Sequence, residues 1–194
     1  MRSTKVFSAA AILVFGGLVA ASEASAQGLY IGGSLGKSDI DDSITSGLIT
    51  SGPVDGKDTG FKIFGGYQIN QNFGVEVGYV DLGKVSYSGF SGVDLVTGGK
   101  VEPSGLNFSA VGTLPLNPGF ALFGKVGLFD WKAKASDVTA GAPFSAKASG
   151  SDISFGFGVS YDLAKNVSAR VEWERFKMDV SDANLLSVGI ASRF

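Results

Sequence analysis

The sequence predicts an all-β chain that crosses a membrane as an eight-stranded antiparallel barrel, and three observations carry that expectation. Bulky apolar residues alternate with small or polar ones in segment after segment. The connections between these segments are short and long by turns. A stretch with the features of an export signal precedes them all. Alternation of period two puts successive side chains on opposite faces of a strand, and in a transmembrane barrel the bulky face meets lipid while the small face lines the interior.

The export signal comes first. Arg2 and Lys5 form a positive start, Val6 to Ala21 is apolar, and Ala24-Ser25-Ala26 supplies a small-x-small cleavage site ahead of Gln27. Residues 1–26 are therefore expected to be a cleavable signal peptide and residues 27–194 the mature barrel. A transmembrane anchor is the competing reading. It is disfavoured because the apolar run barely reaches the ~18–20 residues that a spanning helix needs, and because a cleavage site follows it. No later segment is apolar for long enough to cross as a helix, which leaves a closed barrel as the spanning form.

Eight segments alternate. Leu29, Ile31 and Leu35 share a face opposite Tyr30, Gly32, Ser34 and Gly36. Phe61, Ile63 and Tyr67 oppose Lys62, Phe64, Gly66 and Gln68, and Phe73, Val75, Val77 and Tyr79 oppose Gly74, Glu76, Gly78 and Val80. Leu106, Phe108 and Leu114 lie opposite Asn107, Ser109 and Thr113, and Leu122, Val126 and Leu128 opposite Phe123, Lys125, Gly127 and Phe129. The clearest case sets Ile153, Phe155, Phe157, Val159 and Tyr161 against Ser154, Gly156, Gly158 and Ser160. Val171 and Trp173 oppose Arg170, Glu172 and Glu174, and the chain ends on Leu186, Val188 and Ile190 with Phe194 in phase. Tyr30, Tyr67, Phe73, Tyr79, Tyr161, Trp173 and Phe194 are candidates for aromatic girdles at the membrane interfaces.

The turns at 70–72, 116–119 and 162–166 are short. The links at 39–57, 85–103 and 135–147 are long and rich in Ser, Gly and Asp, with a short fourth link near 181–184. Short periplasmic turns and longer extracellular loops are the habit of outer-membrane barrels. A soluble lipocalin-like barrel or sandwich would also alternate, but it needs a polar exposed face. Here the face opposite the bulky residues is mostly Gly and Ser, poor material for a packed core.

Composition removes several function classes. Among 194 residues there is no histidine and no cysteine, so a Ser-His-acid arrangement, a thiolate metal site and a disulfide framework are excluded. A net charge of −2 gives no basic footprint for nucleic acid. Asp41-Asp42 and Asp55/Asp58 in a long loop, and Glu172/Glu174 on a luminal face, are carboxylate pairs without a recognised catalytic or calcium-binding spacing. The expectation is no enzyme, no cofactor and no metal.

Three stretches bring a family into view. Leu29-Tyr30-Ile31-Gly32-Gly33-Ser34-Leu35-Gly36 resembles the first strand of the OmpA-type transmembrane domain. Phe64 to Asn70, running on through Gly74 to Tyr79 and Leu82-Gly83, resembles that family's second hairpin, and Leu185 to Phe194 its closing strand. The resemblance extends over the mature chain. It implies an eight-stranded barrel in the cell outer membrane, in contact with lipid and lipopolysaccharide. It also implies insertion by the barrel assembly machinery, with Val188, Ile190 and Phe194 as the assembly signal. Ser192 departs from it, standing where many relatives carry an aromatic residue. Because the sequence ends at Phe194, without the peptidoglycan-binding domain of OmpA proper, the similarity points to the stand-alone OmpX-like small barrels.

Parity places Lys62, Glu76, Lys125, Arg170 and Glu172 in the lumen. An eight-stranded barrel is only wide enough for side chains to fill, so charges shut inside it must pair. The resemblance implies that Glu76 and Arg170 form a central ion pair. Val111 and Ser160 replace the lysine and glutamate that complete that network in the family, and Lys62 and Lys125 are the candidates to compensate. These residues either plug the lumen outright or gate a narrow channel. Asp81, Asp130 and Arg175 read as rim residues, and Lys132, Lys134 and Arg175 as positions within reach of lipopolysaccharide phosphates. The expected role is structural or surface-interacting, from a monomer that meets an extracellular partner through residues 39–57, 85–103 and 135–147. A porin-like channel and a soluble periplasmic carrier are the alternatives.

Overall fold

The computed structural model describes residues 28–41, 51–92, 94–139, 141–179 and 181–194. The signal-peptide reading, including Ala24, Ala26 and Gln27, lies outside these residues, as does Asp42. Among the described residues no helix is long and apolar enough to cross a membrane.

The elements are all strands: β1 (Gly28–Ile40), β2 (Val54–Asp55), β3 (Lys57–Gln68), β4 (Phe73–Asp81), β5 (Val85–Ser91), β6 (Asp94–Asn117), β7 (Phe120–Thr139), β8 (Ala142–Ala164), β9 (Val167–Met178) and β10 (Ser181–Arg193). β4 and β5 form one course with a break at Leu82-Gly83-Lys84, because β6 pairs with β4 through Ser104–Gly112 and with β5 through Asp94–Val101. The sheet closes into a ring of eight, with β6 on β7 and β1 on β10, and every pairing is antiparallel. Closure leaves no unpaired edge to face hydrocarbon.

The break in the β4–β5 course has a visible cause. The Asp81 carboxylate accepts the Gly83 N–H at 2.9 Å, and Asp58 accepts the Lys84 N–H at 3.0 Å. Gly83 sits at φ +74°, a left-handed conformation that glycine adopts without strain. The kink falls beside Pro103 of β6, which has no N–H to offer and only accepts one, from Leu82 at 3.1 Å.

The alternation holds along the wall. Ile31, Leu35, Ile63, Phe73, Val75, Leu106, Phe108, Val126, Leu128, Phe157, Val188 and Ile190 all stand outward and exposed. A band this wide on a water-soluble protein would be an aggregation surface; around a closed ring it is the lipid-facing belt. Tyr30 is a correction to the girdle: it is 9 % exposed, inside the barrel, with its hydroxyl donating to Glu76. It shares the inward face with Gly32 and Ser34, so strand parity overrides its nearness to the strand end.

The two ends differ as expected in the length of their connections, but not in their texture. Two of the three long links are paired β-structure instead of irregular loops. β5 and the upper half of β6 form one ribbon, and β7 and β8 continue in register from Ala135↔Ala146 to Thr139↔Ala142. The reason is burial. Val85, Tyr87, Val96, Val101 and Ala135 turn one face of these ribbons onto an apolar cluster, and Ser and Gly occupy many of the alternate positions. Likewise 181–184 belong to β10, the link before them being shorter than the sequence suggested.

Candidate functional site: a stoppered lumen

Inside the ring, β3, β4, β7 and β9 each contribute to one layer of charge. β9 gives three residues at spacing two, Arg170, Glu172 and Glu174, because every second side chain of a strand faces inward. Lys62 comes from β3, Glu76 from β4 and Lys125 from β7. All six are buried. Three cations therefore meet three carboxylates, and the layer is neutral.

The contacts alternate in sign. Lys62 donates to both Glu172 and Glu174. Lys125 donates to Glu76 at 2.6 Å and to Glu172 at 2.7 Å, with Glu174 at 3.8 Å. Arg170 donates to Glu76 at 3.0 Å and lies 3.6 Å from Glu172. The Tyr30 hydroxyl closes the remaining side of Glu76 at 3.1 Å. Two rings carry the cations: Phe64 lies 4.8 Å from the Arg170 guanidinium and 5.2 Å from the Lys62 ammonium, and Phe123 lies 4.4 Å from Arg170. Ring faces are negative, so each is a further partner for a charge that has lost its water.

The structure brings together all five luminal residues picked out from the sequence and adds a sixth, Glu174. Glu174 is legible by parity, although the sequence singles it out only as half of the Glu172/Glu174 carboxylate pair. Parity puts Phe64 and Phe123 in the lumen, and their partnership with the cations has no signature in a single sequence. Val111 and Ser160 line a vestibule of about 280 Å3 below the charged layer, at the end of the short turns.

Above the charged layer the lumen is packed with apolar side chains. Val80, Leu82, Phe129, Phe176 and Leu185 are completely buried inside the ring, and the Phe129 and Phe176 rings meet at 4.7 Å between centroids. Ile40, Val85, Val96, Trp131 and Met178 extend the same cluster toward the ribbons. The sequence carried this signal too. Val80 and Phe129 were on the inward face, and the same parity puts Trp131, Phe176, Met178 and Leu185 there.

Large inward side chains fit an eight-stranded ring because glycines face them. A Cβ on Gly158 would lie 2.4 Å from the Val171 carbonyl oxygen and 2.6 Å from the Phe123 ring, and one on Gly66 would lie 2.2 Å from the Tyr30 ring.

A closed antiparallel ring of eight strands, a belt of exposed apolar side chains and an interior filled by its own residues define a small integral outer-membrane β-barrel. The chain belongs to the family described as the OmpA-like transmembrane domain, which it matches over residues 24–194. It is 29% identical over 204 residues to outer membrane protein A of Salmonella typhi and 28% identical to that of Shigella flexneri, with all of this chain and 56% of each relative covered. It thus spans little more than half the length of those curated relatives. Among solved structures, Ail of Yersinia pestis is similar with a TM-score of 0.59 and 19% identity, covering 87% of this chain and 99% of Ail. Neisserial surface protein A is similar with a TM-score of 0.54 and 19% identity, covering 86% and 97%. Family membership places the chain in the outer membrane and among non-enzymatic barrels.

Proposed function

We propose that this protein serves the outer membrane as a sealed scaffold: a stoppered barrel that stiffens the bilayer and carries β-ribbons on its outer side. The filled lumen supports this reading more than any other observation. A solute entering from the vestibule meets a neutral layer of six interlocked charges, and above it a cluster with Val80, Leu82, Phe129, Phe176 and Leu185 at no exposure. To conduct, the barrel must part both layers at once. The Glu76–Arg170 contact is thus one strut of a stopper, with Lys62, Lys125, Glu172 and Glu174, and not a gate. A surface role belongs to the ribbons that the described residues of 85–92, 94–103, 135–139 and 141–147 form, a fixed platform for an extracellular partner.

The closed ring is consistent with a monomer. Val188, Ile190 and Phe194 stand outward in phase, as an assembly signal for the barrel insertion machinery requires, and residues 1–26 are the proposed export signal removed before Gln27. Planar-bilayer recording tests the sealed lumen. The protein reconstituted at high copy number gives no resolved conductance steps between −150 and +150 mV, a range of roughly ±3.5 kcal/mol per transferred charge. Reproducible steps that shift on Glu76→Gln or Arg170→Gln would establish the channel reading instead.

A further inference from the structure

The vestibule at the end of the short turns is a blind pocket with a single charge of the luminal layer at its floor. Of the residues that make up that layer, only Arg170 lines it. β9 supplies the reason. Arg170, Glu172 and Glu174 follow one another on its inward face, so the layer, neutral in sum, is polarised along this strand with the cation toward the vestibule.

The stopper does not use up Arg170. It donates to Glu76 at 3.0 Å, while its second terminal nitrogen stands 3.6 Å from Glu172, too far for a hydrogen bond. A guanidinium carries more N–H donors than these contacts consume, so donors are left for an acceptor in the vestibule. The Phe123 and Phe64 rings, at 4.4 and 4.8 Å, flank the guanidinium and hold it in place. Ser168 is a second, independent pointer. It sits two residues before Arg170 on the same inward face and is 4 % exposed, yet its hydroxyl has no hydrogen-bond partner among the described residues and faces the vestibule. Ser160, the cross-strand partner of Arg170 on β8, adds a hydroxyl at the same level. On the other side the register sets Gly189 beside Arg170 and Ala191 beside Ser168, so β10 puts nothing larger than a methyl group in front of them.

Charge, lining and size select the anion. The mouth carries Asp162 and Arg193, 3.7 Å apart, so the entrance has no net charge to meet a second negative group. Val111, Thr113 and Pro115 of β6 share the inward face and line the vestibule, a track without charge for a short hydrocarbon tail. At about 280 Å3 the space lies just below the ~300–1,000 Å3 of ordinary ligand pockets, which suits a molecule of a few carbons.

We infer that the vestibule binds small organic monocarboxylates that enter from the side of the short turns. Arg170 and the hydroxyls of Ser168 and Ser160 donate to the carboxylate, and charge-assisted bonds of this kind are the strong ones. The tail lies along Val111 toward the mouth. The site goes beyond the sealed scaffold and does not depend on it: conductance steps would break the seal and leave Arg170 and Ser168 in the vestibule.

The test titrates the isotope-labelled protein, folded in neutral maltoside micelles at neutral pH, with butyrate. The NMR resonances of the Arg170 side-chain and Ser168 backbone N–H groups are followed. Butyrate shifts both in a saturable way with a millimolar Kd, and butanol, which lacks the carboxylate, shifts neither. Succinate and inorganic phosphate bind more weakly than butyrate. Ser168→Ala weakens butyrate binding roughly tenfold, the worth of a hydrogen bond to a charged acceptor. Ser160→Leu abolishes binding by filling the pocket. Both variants keep every charge of the stopper, and heat-modifiable gel mobility confirms that they fold. Butyrate without a saturable shift, butanol shifts equal to those of butyrate, or undiminished binding in either variant would overturn the site. Succinate or phosphate binding as tightly as butyrate would overturn the monocarboxylate assignment.

Discussion

Glu172 touches all three cations of the lumen: Lys62, Lys125 at 2.7 Å and Arg170 at 3.6 Å. No other carboxylate of the layer has so many opposite charges to lose, and only Lys125 matches it among the cations. Removing one partner from a buried pair leaves an uncompensated charge in a low-dielectric interior, which costs about 3–5 kcal/mol. Glu172→Gln is therefore expected to lower unfolding stability by that amount, measured by urea titration in phospholipid vesicles. Glu76→Leu with Arg170→Met removes one charge of each sign, keeps the layer neutral and leaves Lys125 on Glu172, so it costs less than Glu172→Gln despite changing two residues. Both charge inventories were readable from parity. Which carboxylate lies at the centre was not, because that depends on the inclination of β9 against β3 and β7, a property of closure and not of any one strand.

Within the elements, backbone proximity decides what each position tolerates. Gly158 of β8 sits against the Val171 carbonyl, which belongs to the β8–β9 ladder and cannot retreat, so Gly158→Ala overpacks the wall and costs ~1–3 kcal/mol. Gly112 of β6 has nothing within 4 Å of a built Cβ, and Gly112→Ala leaves stability unchanged or gains up to ~1 kcal/mol from reduced backbone entropy. Urea midpoints of the two variants separate these outcomes. The outer ribbons carry their own handle: the Tyr87 hydroxyl donates to the buried Asp137 carboxylate at 2.8 Å, and burial, then that acceptor's hydrogen bond and charge, push the phenol pKa above its ordinary value. A raised pKa in the folded state means that the stabilisation is complete below the ordinary phenol value of ~10 and is lost as pH climbs beyond it. The ribbon's thermal midpoint, followed by Trp131 fluorescence in a Trp173→Phe background, is expected to hold from pH 8 to 9.5 and fall above pH 10; Tyr87→Phe abolishes the fall. Two of the three long links read as loops from their Ser, Gly and Asp content. Their own alternation, Val85-Ser86-Tyr87-Ser88, was the better guide, since an apolar cluster awaits one face.

For the whole molecule, an outward face for lipid and an inward face for charge followed from period two along eight strands, and the ring obeys it from Ile31 to Ile190. Strand parity says which side a residue faces but not how the interior is stacked along the axis. The order of vestibule, charged layer and apolar stopper emerges only when the strands are tilted and closed against one another. Two native indoles report on that order. Trp173 lies on the outer wall against Phe155 and Phe157, and Trp131 is 1 % exposed within the apolar stopper, its N–H donating to Asp152 at 2.8 Å. Fluorescence quenching in vesicles, with Trp131→Phe and Trp173→Phe isolating each indole, tests lipid contact and lumen closure together. Trp173 is quenched by brominated acyl chains, and Trp131 is quenched neither by them nor by iodide in the surrounding buffer. Iodide quenching of Trp131, or a Trp173 indifferent to brominated lipid, would contradict a sealed barrel whose bulky face meets hydrocarbon.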